Sequence, residues 1–452
     1  MLTPHPACWS EVSVAEVRCT NDKTEFGHMA RILIVAKGGF GDLFPLFAVA
    51  AALRARRHEV VVAGEHHHAP ACTMLGIRHF PIGTAPSVER APMRGNTRNN
   101  LREQLVAILP PADLGAEVSQ LLPLARDADI ILGNQLAYAG AIVRDVLSKP
   151  WVFCAASPLA IPSRLDPPLW PYLHRLQRLT SFCGGAESMY IGLARLATHA
   201  MMAADRRLRR RLGVNHTAHA RFEGMYSTEL NLMLTSPCML EPQADWPTLT
   251  KITGFCWFEP LYLGDRGTIE DLIEFARSGP PPILIAPGGS RRMAPGRFFE
   301  NTIAACRQIG CRAIIVAGQS LHGAIPKGPD IMVTGYLPYA AILAETSAII
   351  HSAGIGTLGQ ALRFGVPSLV LPSDWDQHDN ARRAERRGYA KVLHGKADAG
   401  LIAPALAHLL DSPFVRERVR AVAPYVSAED GATAACDAIE ARLAVNQVRA
   451  LI

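Results

Sequence analysis

HSAGIGTLGQALRFGVPSLVLPSDWDQHDNARRAERRG, from His351 to Gly388, decides how the rest of the chain is read. The pattern predicts a turn, a helix, a second turn, a buried strand, a loop and another helix. Residues 344–350 (AETSAII) lead into it and end in a short apolar run, so His351 falls where such a strand ends. Residues 352–357 are small and glycine-bearing, and backbone of that kind takes tight conformations and approaches a ligand closely. Residues 357–364 carry a helical pattern, which Gly365 stops. A glycine-rich turn feeding a helix presents free N–H groups and the positive end of the helix dipole, a site suited to a phosphate or diphosphate. Residues 368–371 form the next strand, ended by Pro372. Beyond it DWDQHDN, residues 374–380, is dense in hydrogen-bonding groups and lies past a strand's carboxyl end, where open α/β sheets bind ligands.

Working outward, the same alternation of strand and helix runs through the chain. Residues 32–36 are a strand, residues 37–42 (KGGFGD) a glycine-rich turn, and residues 45–57 a helix with Pro45 in its first turn. Strands are expected at 58–63, 76–81, 130–132, 151–155 and 230–234, the last closing a first sheet. A second series follows at 283–286, 312–318 (RAIIVAG) and 331–336. Strands alternating with helices imply parallel, doubly wound sheets. The prolines and turn residues of 242–258 interrupt all periodicity and mark a linker. The expected division is therefore a first domain at 29–241, a linker at 242–258, a second domain at 259–430, and a C-terminal helix at 431–452. Residues 1–28 carry no periodicity. They lack the basic start and apolar region of about 7–15 residues that make a secretory signal. They are read as a disordered tail or as sequence ahead of a start at Met29.

Composition excludes several classes. The chain has 452 residues, 49% hydrophobic and 19% charged, with a formal net charge of +6. That balance suits a globular protein with large cores and does not argue for nucleic acid. No apolar run approaches the ~18 residues of a spanning helix. The ten cysteines form no C-x-x-C pair, and no His/Cys spacing matches a zinc site. Buried thiols such as Cys154 and Cys256 pack as small hydrophobes, which fits a reducing cytoplasm.

The combination H-x-x-G-x-G-T, G-V-P and P-x-x-x-D-Q-x-x-N-A resembles the nucleotide-sugar signature of glycosyltransferases with the GT-B fold, in the UDP-glycosyltransferase-like superfamily. Here it reads His351, Gly354, Gly356, Thr357, then Gly365, Val366, Pro367, then Pro372, Asp376, Gln377, Asn380 and Ala381. A second likeness lies at Gly41-Asp42-Leu43-Phe44-Pro45, which resembles the G-D-x-x-P turn of the branch with an aspartate base. Asp245-Trp246-Pro247, residues 252–255 (ITGF), the turn at His351 and the loop at Asp376 look most like the rhamnolipid-type rhamnosyltransferases, at the level of subfamily.

The resemblance implies two Rossmann-like domains facing a cleft, with the nucleotide-sugar donor on the second and the acceptor and base on the first. His351, Gly354, Gly356 and Thr357 would hold the donor diphosphate, helped by Ser290 and with Gly41 opposite. Tyr336 and Leu337 would lie beside the base, and Asp376 and Gln377 would bind sugar hydroxyls. Asp42 would take the acceptor's proton; on spacing alone, capping of the following helix is the plainer role for it. N–H groups, a hydroxyl and an imidazole then replace a divalent metal, so no metal or other cofactor is expected, although Asp374-Trp375-Asp376 literally matches D-x-D. Plant relatives carry a glutamate eight residues after the signature histidine, contacting ribose. Here that place is Gly359, which is compatible with a dTDP donor.

The expected activity is inverting transfer of a hexosyl or 6-deoxyhexosyl group from a dTDP- or UDP-sugar to a hydroxyl of a small lipid-like or natural-product acceptor. Pro111-Ala112-Asp113 and Trp170-Pro171-Tyr172 are candidates for lining the acceptor pocket. The rivals are a nucleotide-sugar 2-epimerase and a non-catalytic partner that activates another transferase. His66-His67-His68 invites a metal reading, yet adjacent side chains on an extended segment point to opposite faces, which favours a plain loop. The basic run at 205–211 (DRRLRRR) reads as a solvated helix face; its second reading is peripheral contact with an anionic membrane.

Overall fold

The structure, a computed structural model, describes residues 29–83, 109–111, 113–170, 176–177, 186–214, 218–259, 266–288, 297–318, 325–326, 328–373, 375–395 and 397–450. The first sheet contains β1 (Arg31–Ala36), β2 (Glu59–Gly64), β3 (Arg78–Pro81), β4 (Ile130–Asn134), β5 (Trp151–Ala155), β6 (Leu230–Met233) and β7 (Thr250–Ile252). Their spatial order is β3-β2-β1-β4-β5-β6-β7. The second contains β8 (Ile283–Ile285), β9 (Ala313–Val316), β10 (Ile331–Thr334), β11 (Ala348–His351), β12 (Ser368–Val370) and β13 (Ala390–Val392), ordered β10-β9-β8-β11-β12-β13. Neighbouring strands pair in parallel, for example Ile32 against Ile130 and His351 against Val370.

Parallel strands covered by helices on both faces must be apolar on both faces. RILIVA, IILGN and WVFCA obey this rule, with every residue after Arg31 buried. In each sheet the order reverses beside the first strand, at β1/β4 and at β8/β11. A crevice opens outside the carboxyl ends at each reversal. The turn after β1 carries Asp42, and the turn after β11 follows His351.

Four elements differ from the sequence reading. The first helix is Phe40–Ala55, so Gly41 and Asp42 lie inside its first turn, and Pro45 is internal. Proline there removes only the bond its N–H would make to the carbonyl of Gly41, close enough to the helix start to be tolerated. The first sheet does not end at β6, because Thr250–Ile252 of the expected linker pairs with it as β7. The chain crosses to the second domain in residues 253–259. β13, with the exposed Lys391 at its centre, adds an edge strand without an apolar run.

The fourth difference spans the molecule. The final helix, Gly431–Ala450, leaves the second domain and packs on the first. Ala435, Cys436, Ile439 and Leu443 share one core with Leu46, Phe47, Val49 and Leu53. Arg56 Nη1 bonds Glu440 at 2.6 Å, and Arg442 pairs with Glu229 at 2.7 Å. The outgoing and returning segments are tied together. Phe255 N donates to Glu429 at 2.8 Å, and Gly431 N donates to Phe255 O at 3.1 Å. A Cβ on Gly431 would lie 2.4 Å from the Gly254 carbonyl oxygen, so the crossing requires glycine.

The basic run is not a solvated face throughout. Asp205 and Arg209 are buried and bonded to each other at 2.8 Å, and Arg209 also pairs with Asp145. Arg207, Arg210 and Arg211 remain exposed. Among the described residues no helix is long and apolar enough to cross a membrane.

Candidate functional site

β1 delivers the chain to Lys37, and Gly38 turns it at φ +109°. A side chain there would be strained, and its Cβ would meet Asp42 Oδ2 and Leu136 Cδ1, both at 2.9 Å. β4 ends beside this turn. Asn134 Nδ2 donates to the Lys37 carbonyl at 2.7 Å, and Gln135 Nε2 donates to Asp42 Oδ1 at 2.7 Å. Asp42 is partly open to the cleft and otherwise packed in protein. Burial, then the carboxylate of Asp376, raise its pKa from 3.8 to about 7, against the opposing pull of the Gly39 N–H, Gln135 and Arg221. Gly39, not Asp42, is the N-cap of this helix; the Asp42 carboxylate, three residues in, reaches back to the Gly39 backbone. Gly41 is exposed beside it with open space where a Cβ would stand.

Three elements of the second domain carry the other candidate residues, and the one that starts at Asp376 comes near enough to act on Asp42. His351 ends β11, fully buried. Its Nδ1 accepts from Ala353 N at 3.1 Å, which places the ring proton on Nε2. Nε2 is buried without a hydrogen-bond partner among the described residues. Burial holds the ring neutral, with a pKa lowered to about 3. The sequence reading gave the imidazole a share in neutralising charge; a ring held neutral contributes a hydrogen bond instead.

Gly354 precedes the helix Ile355–Arg363, which has no side-chain cap, and the space over Gly354 and Gly356 is open. Thr357 lies in that first turn, its hydroxyl 3.5 Å from that of Tyr339. The N–H groups of this turn and the His351 imidazole therefore stand together, an arrangement that suits an anion.

Asp376 begins the third element, before the helix Gln377–Arg386. Its carboxylate accepts from Asn380 Nδ2 at 3.0 Å, and Ser157 of the first domain also bonds it. Burial outweighs these contacts and raises its pKa. Gln377 Oε1 accepts from both the N–H and the hydroxyl of Ser373, at 3.0 and 2.9 Å. Tyr336 stands partly exposed after β10, whereas Leu337 is 2% exposed in the core with Leu284 and Ile314, so its side chain does not face the cleft. Ser290, Asp374, Ala112, Pro171 and Tyr172 lie outside the described residues, as do residues 1–28.

Several residues here carried no local signal. Gln135, just past the end of β4, and Arg221, in the segment before β6, both act on Asp42. Glu259, at the end of the crossing segment, accepts from Ala340 N at 3.1 Å and from Gln360 Nε2 at 2.9 Å. It brings a buried carboxylate beside Gly359, where no side chain fits: a Cβ on Gly359 would meet the Phe255 ring at 2.8 Å. The proline-rich loop is stapled to the second domain. Leu169 N donates to Asp379 at 3.0 Å, Arg382 to the Pro167 carbonyl at 2.7 Å, and Arg383 pairs with Asp166. A run of prolines in sequence suggests a wall; only the fold shows what the wall is pinned to.

Comparison with known proteins bears on this geometry. Residues 308–440 match the family model "Erythromycin biosynthesis protein CIII-like, C-terminal domain". The chain is 27% identical over 434 residues to an O-mycaminosyltylonolide 6-deoxyallosyltransferase of Streptomyces fradiae, covering 91% of this chain and 97% of that one. Among solved structures, the glycotransferase of kitacinnamycin superposes with a TM-score of 0.68 at 20% identity, over 92% of this chain and all of its own. A spinosyn rhamnosyltransferase complexed with thymidine diphosphate superposes with a TM-score of 0.63 at 17% identity, over 89% of this chain and 98% of its own. The two facing parallel-sheet domains are those of the GT-B fold.

Proposed function

We propose that this chain, a GT-B glycosyltransferase of the UDP-glycosyltransferase-like superfamily that takes a nucleotide sugar and a natural-product acceptor, transfers a 6-deoxyhexosyl group from a dTDP-sugar with inversion, using Asp42 as base. One observation carries the reading. Burial first, and then the Asp376 carboxylate of the second domain, raise the pKa of Asp42 in the first domain to about 7, so base and sugar-binding loop lie within reach of each other.

In this reading the acceptor hydroxyl gives its proton to Asp42 as its oxygen forms a bond to the anomeric carbon. The bond from that carbon to the diphosphate breaks on the opposite face, and the nucleoside diphosphate leaves with the electron pair. A base with a pKa near working pH is suited to this step. His351 Nε2–H, the N–H groups after Gly354 and the Thr357 hydroxyl stabilise the departing diphosphate, and such preorganised donors need no rearrangement as charge develops. Asp376 and Gln377 receive the sugar hydroxyls. Closure of the cleft aligns the two substrates and excludes water.

Gly359 carries no side chain towards a ribose, and the Glu259 carboxylate held by Gln360 is the acidic group near that position. The deoxyhexosyl relative and the thymidine diphosphate held by the structural neighbour support the dTDP-sugar donor. The presence of base and donor groups together argues against the non-catalytic partner, and the base against an epimerase, which needs no acceptor.

The test is thermal stabilisation by dTDP, UDP, dTDP-rhamnose and UDP-glucose, read beside slow donor hydrolysis. A ligand at 100 times its Kd stabilises by about 2.7 kcal/mol. Preference for dTDP ligands, with hydrolysis abolished in Asp42→Asn and binding retained, is the expected outcome. Preference for UDP refutes the donor assignment, and undiminished hydrolysis in the variant refutes the base.

A further inference from the structure

We propose that Glu65, His67 and His68 form a binding site for a borderline divalent cation, Zn2+ by its ligand set, at the carboxyl end of β2 and apart from the transfer chemistry. The three histidines do not lie on an extended segment, so the alternation that counted against a shared ion does not apply. His66–His68 is a single 3-10 turn. It brings the rings of His67 and His68 to 4.2 Å between centroids. One ligand atom from each of Glu65, His67 and His68 lies within 4.8 Å of the others, and Glu65 Oε2 is 3.4 Å from His67 Nδ1.

A second observation is independent of that spacing. His68 is fully buried, and among the described residues neither ring nitrogen makes a well-formed hydrogen bond, a weak contact with the Gly38 backbone aside. A buried polar group left unmatched costs about 1–3 kcal/mol, and such an orphan calls for a ligand that the protein itself does not supply. The strand end is hollowed to seat this ring, since a Cβ on Gly64 would lie 2.3 Å from His68 Nδ1.

Charge favours a cation as well. Lys37 is the nearest positive group, but its Nζ is 2.7 Å from Glu117 and 3.6 Å from Glu65. With two carboxylates around one ammonium, a negative charge remains. Two imidazoles and one carboxylate match the nitrogen and oxygen ligands of Zn2+, with a remaining position for water. His67 is about half exposed, so its ring can reorient onto an ion entering from solvent. The site leans on the helix that carries Asp42, because the His67 ring meets Phe40 at 5.9 Å and the His68 ring meets Phe47 at 6.1 Å. A bound ion would therefore stiffen the base-bearing turn from behind.

The experiment uses full-length protein without a histidine tag, stripped with a chelator and titrated with Zn2+ alone by calorimetry. Thermal unfolding and Co2+ absorption are recorded in parallel. The expected result is one saturable equivalent and a raised Tm, with binding at least tenfold weaker in His67→Ala and in Glu65→Gln, in line with the ~10–100-fold lost when a supporting partner of a metal is removed. Both positions are at least partly exposed, so these variants fold, and unchanged circular dichroism confirms it. Absence of saturable uptake overturns the proposal. So does uptake unaffected by both variants, or a Co2+ spectrum with a thiolate charge-transfer band, which assigns the metal to cysteine.

Discussion

Asp42 is poised by opposing neighbours, and its behaviour with pH follows from them. The base must be ionised to act, so kcat/KM should rise with pH through an apparent pKa near 7. Gln135 donates to the ionised carboxylate and lowers that value. Gln135→Leu should move the limb of the pH–rate profile to higher pH and so reduce the rate at neutral pH. A merely structural role for Gln135 would lower the rate without moving the limb. Asp42→Asn should cost about 10²–10⁴ in rate.

The same residue makes a stability prediction. A carboxyl whose folded-state pKa lies above its unfolded value of 3.8 holds its proton more tightly in the folded chain. Its contribution is complete below 3.8 and is lost as pH rises through about 7. Asp42→Asn should therefore exceed the parent in Tm at pH 8, and the difference should vanish near pH 4. At this scale the motifs marked positions that the fold sets at strand ends and helix starts, and two of them, Asp42 and Asp376, come near enough to act on each other across the domains. Gln135, Arg221 and Glu259 were not legible in the sequence, because their meaning lies in the partner that the fold brings to them, over 93 residues in the case of Gln135 and Asp42.

At the scale of elements, legibility followed burial. Strands such as WVFCA are apolar throughout because both faces are covered, and they announce themselves. TKI and AKV are three-residue edge strands with a central lysine, and backbone pairing alone makes them strands. The first helix was placed late because proline usually marks a first turn, whereas Pro45 sits one turn further in. The histidine triplet misled in the same way, through an assumed extended backbone. The helix after His351 carries its own test. Gly359→Ala would press a methyl into the Phe255 ring, with three ring atoms at 2.8–3.0 Å. Overpacking of this kind costs about 1–3 kcal/mol, read as a lower urea midpoint, and on the proposed donor site it should also weaken nucleotide binding by tilting the turn at Gly354.

At the scale of the molecule, the domains are held by specific contacts rather than by the crossing segments alone. Asp166 of the proline-rich loop pairs with Arg383, which Asp379 also holds at 2.8 Å. Asp166→Ala leaves Arg383 paired with Asp379 but weakens the loop's hold on the second domain, so the two domains separate more readily. The expected outcome is a larger radius of gyration in solution scattering without ligand, with the dTDP Kd little changed. No local periodicity foretold that the last helix would serve the first domain, since its apolar residues are equally consistent with either.

That docking sets the order in which the protein can be finished. The helix Phe40–Ala55 leaves the ribosome long before its cover, Gly431–Ala450. At ~5–20 residues per second the wait is on the order of 20–75 s. Throughout it the nascent chain carries an apolar groove lined by Leu46, Val49 and Leu53 with nothing of its own to close it. Synthesis therefore exposes a surface that suits a holdase chaperone. A ribosome stalled short of codon 431 would leave Leu46, Val49 and Leu53 without the helix that covers them.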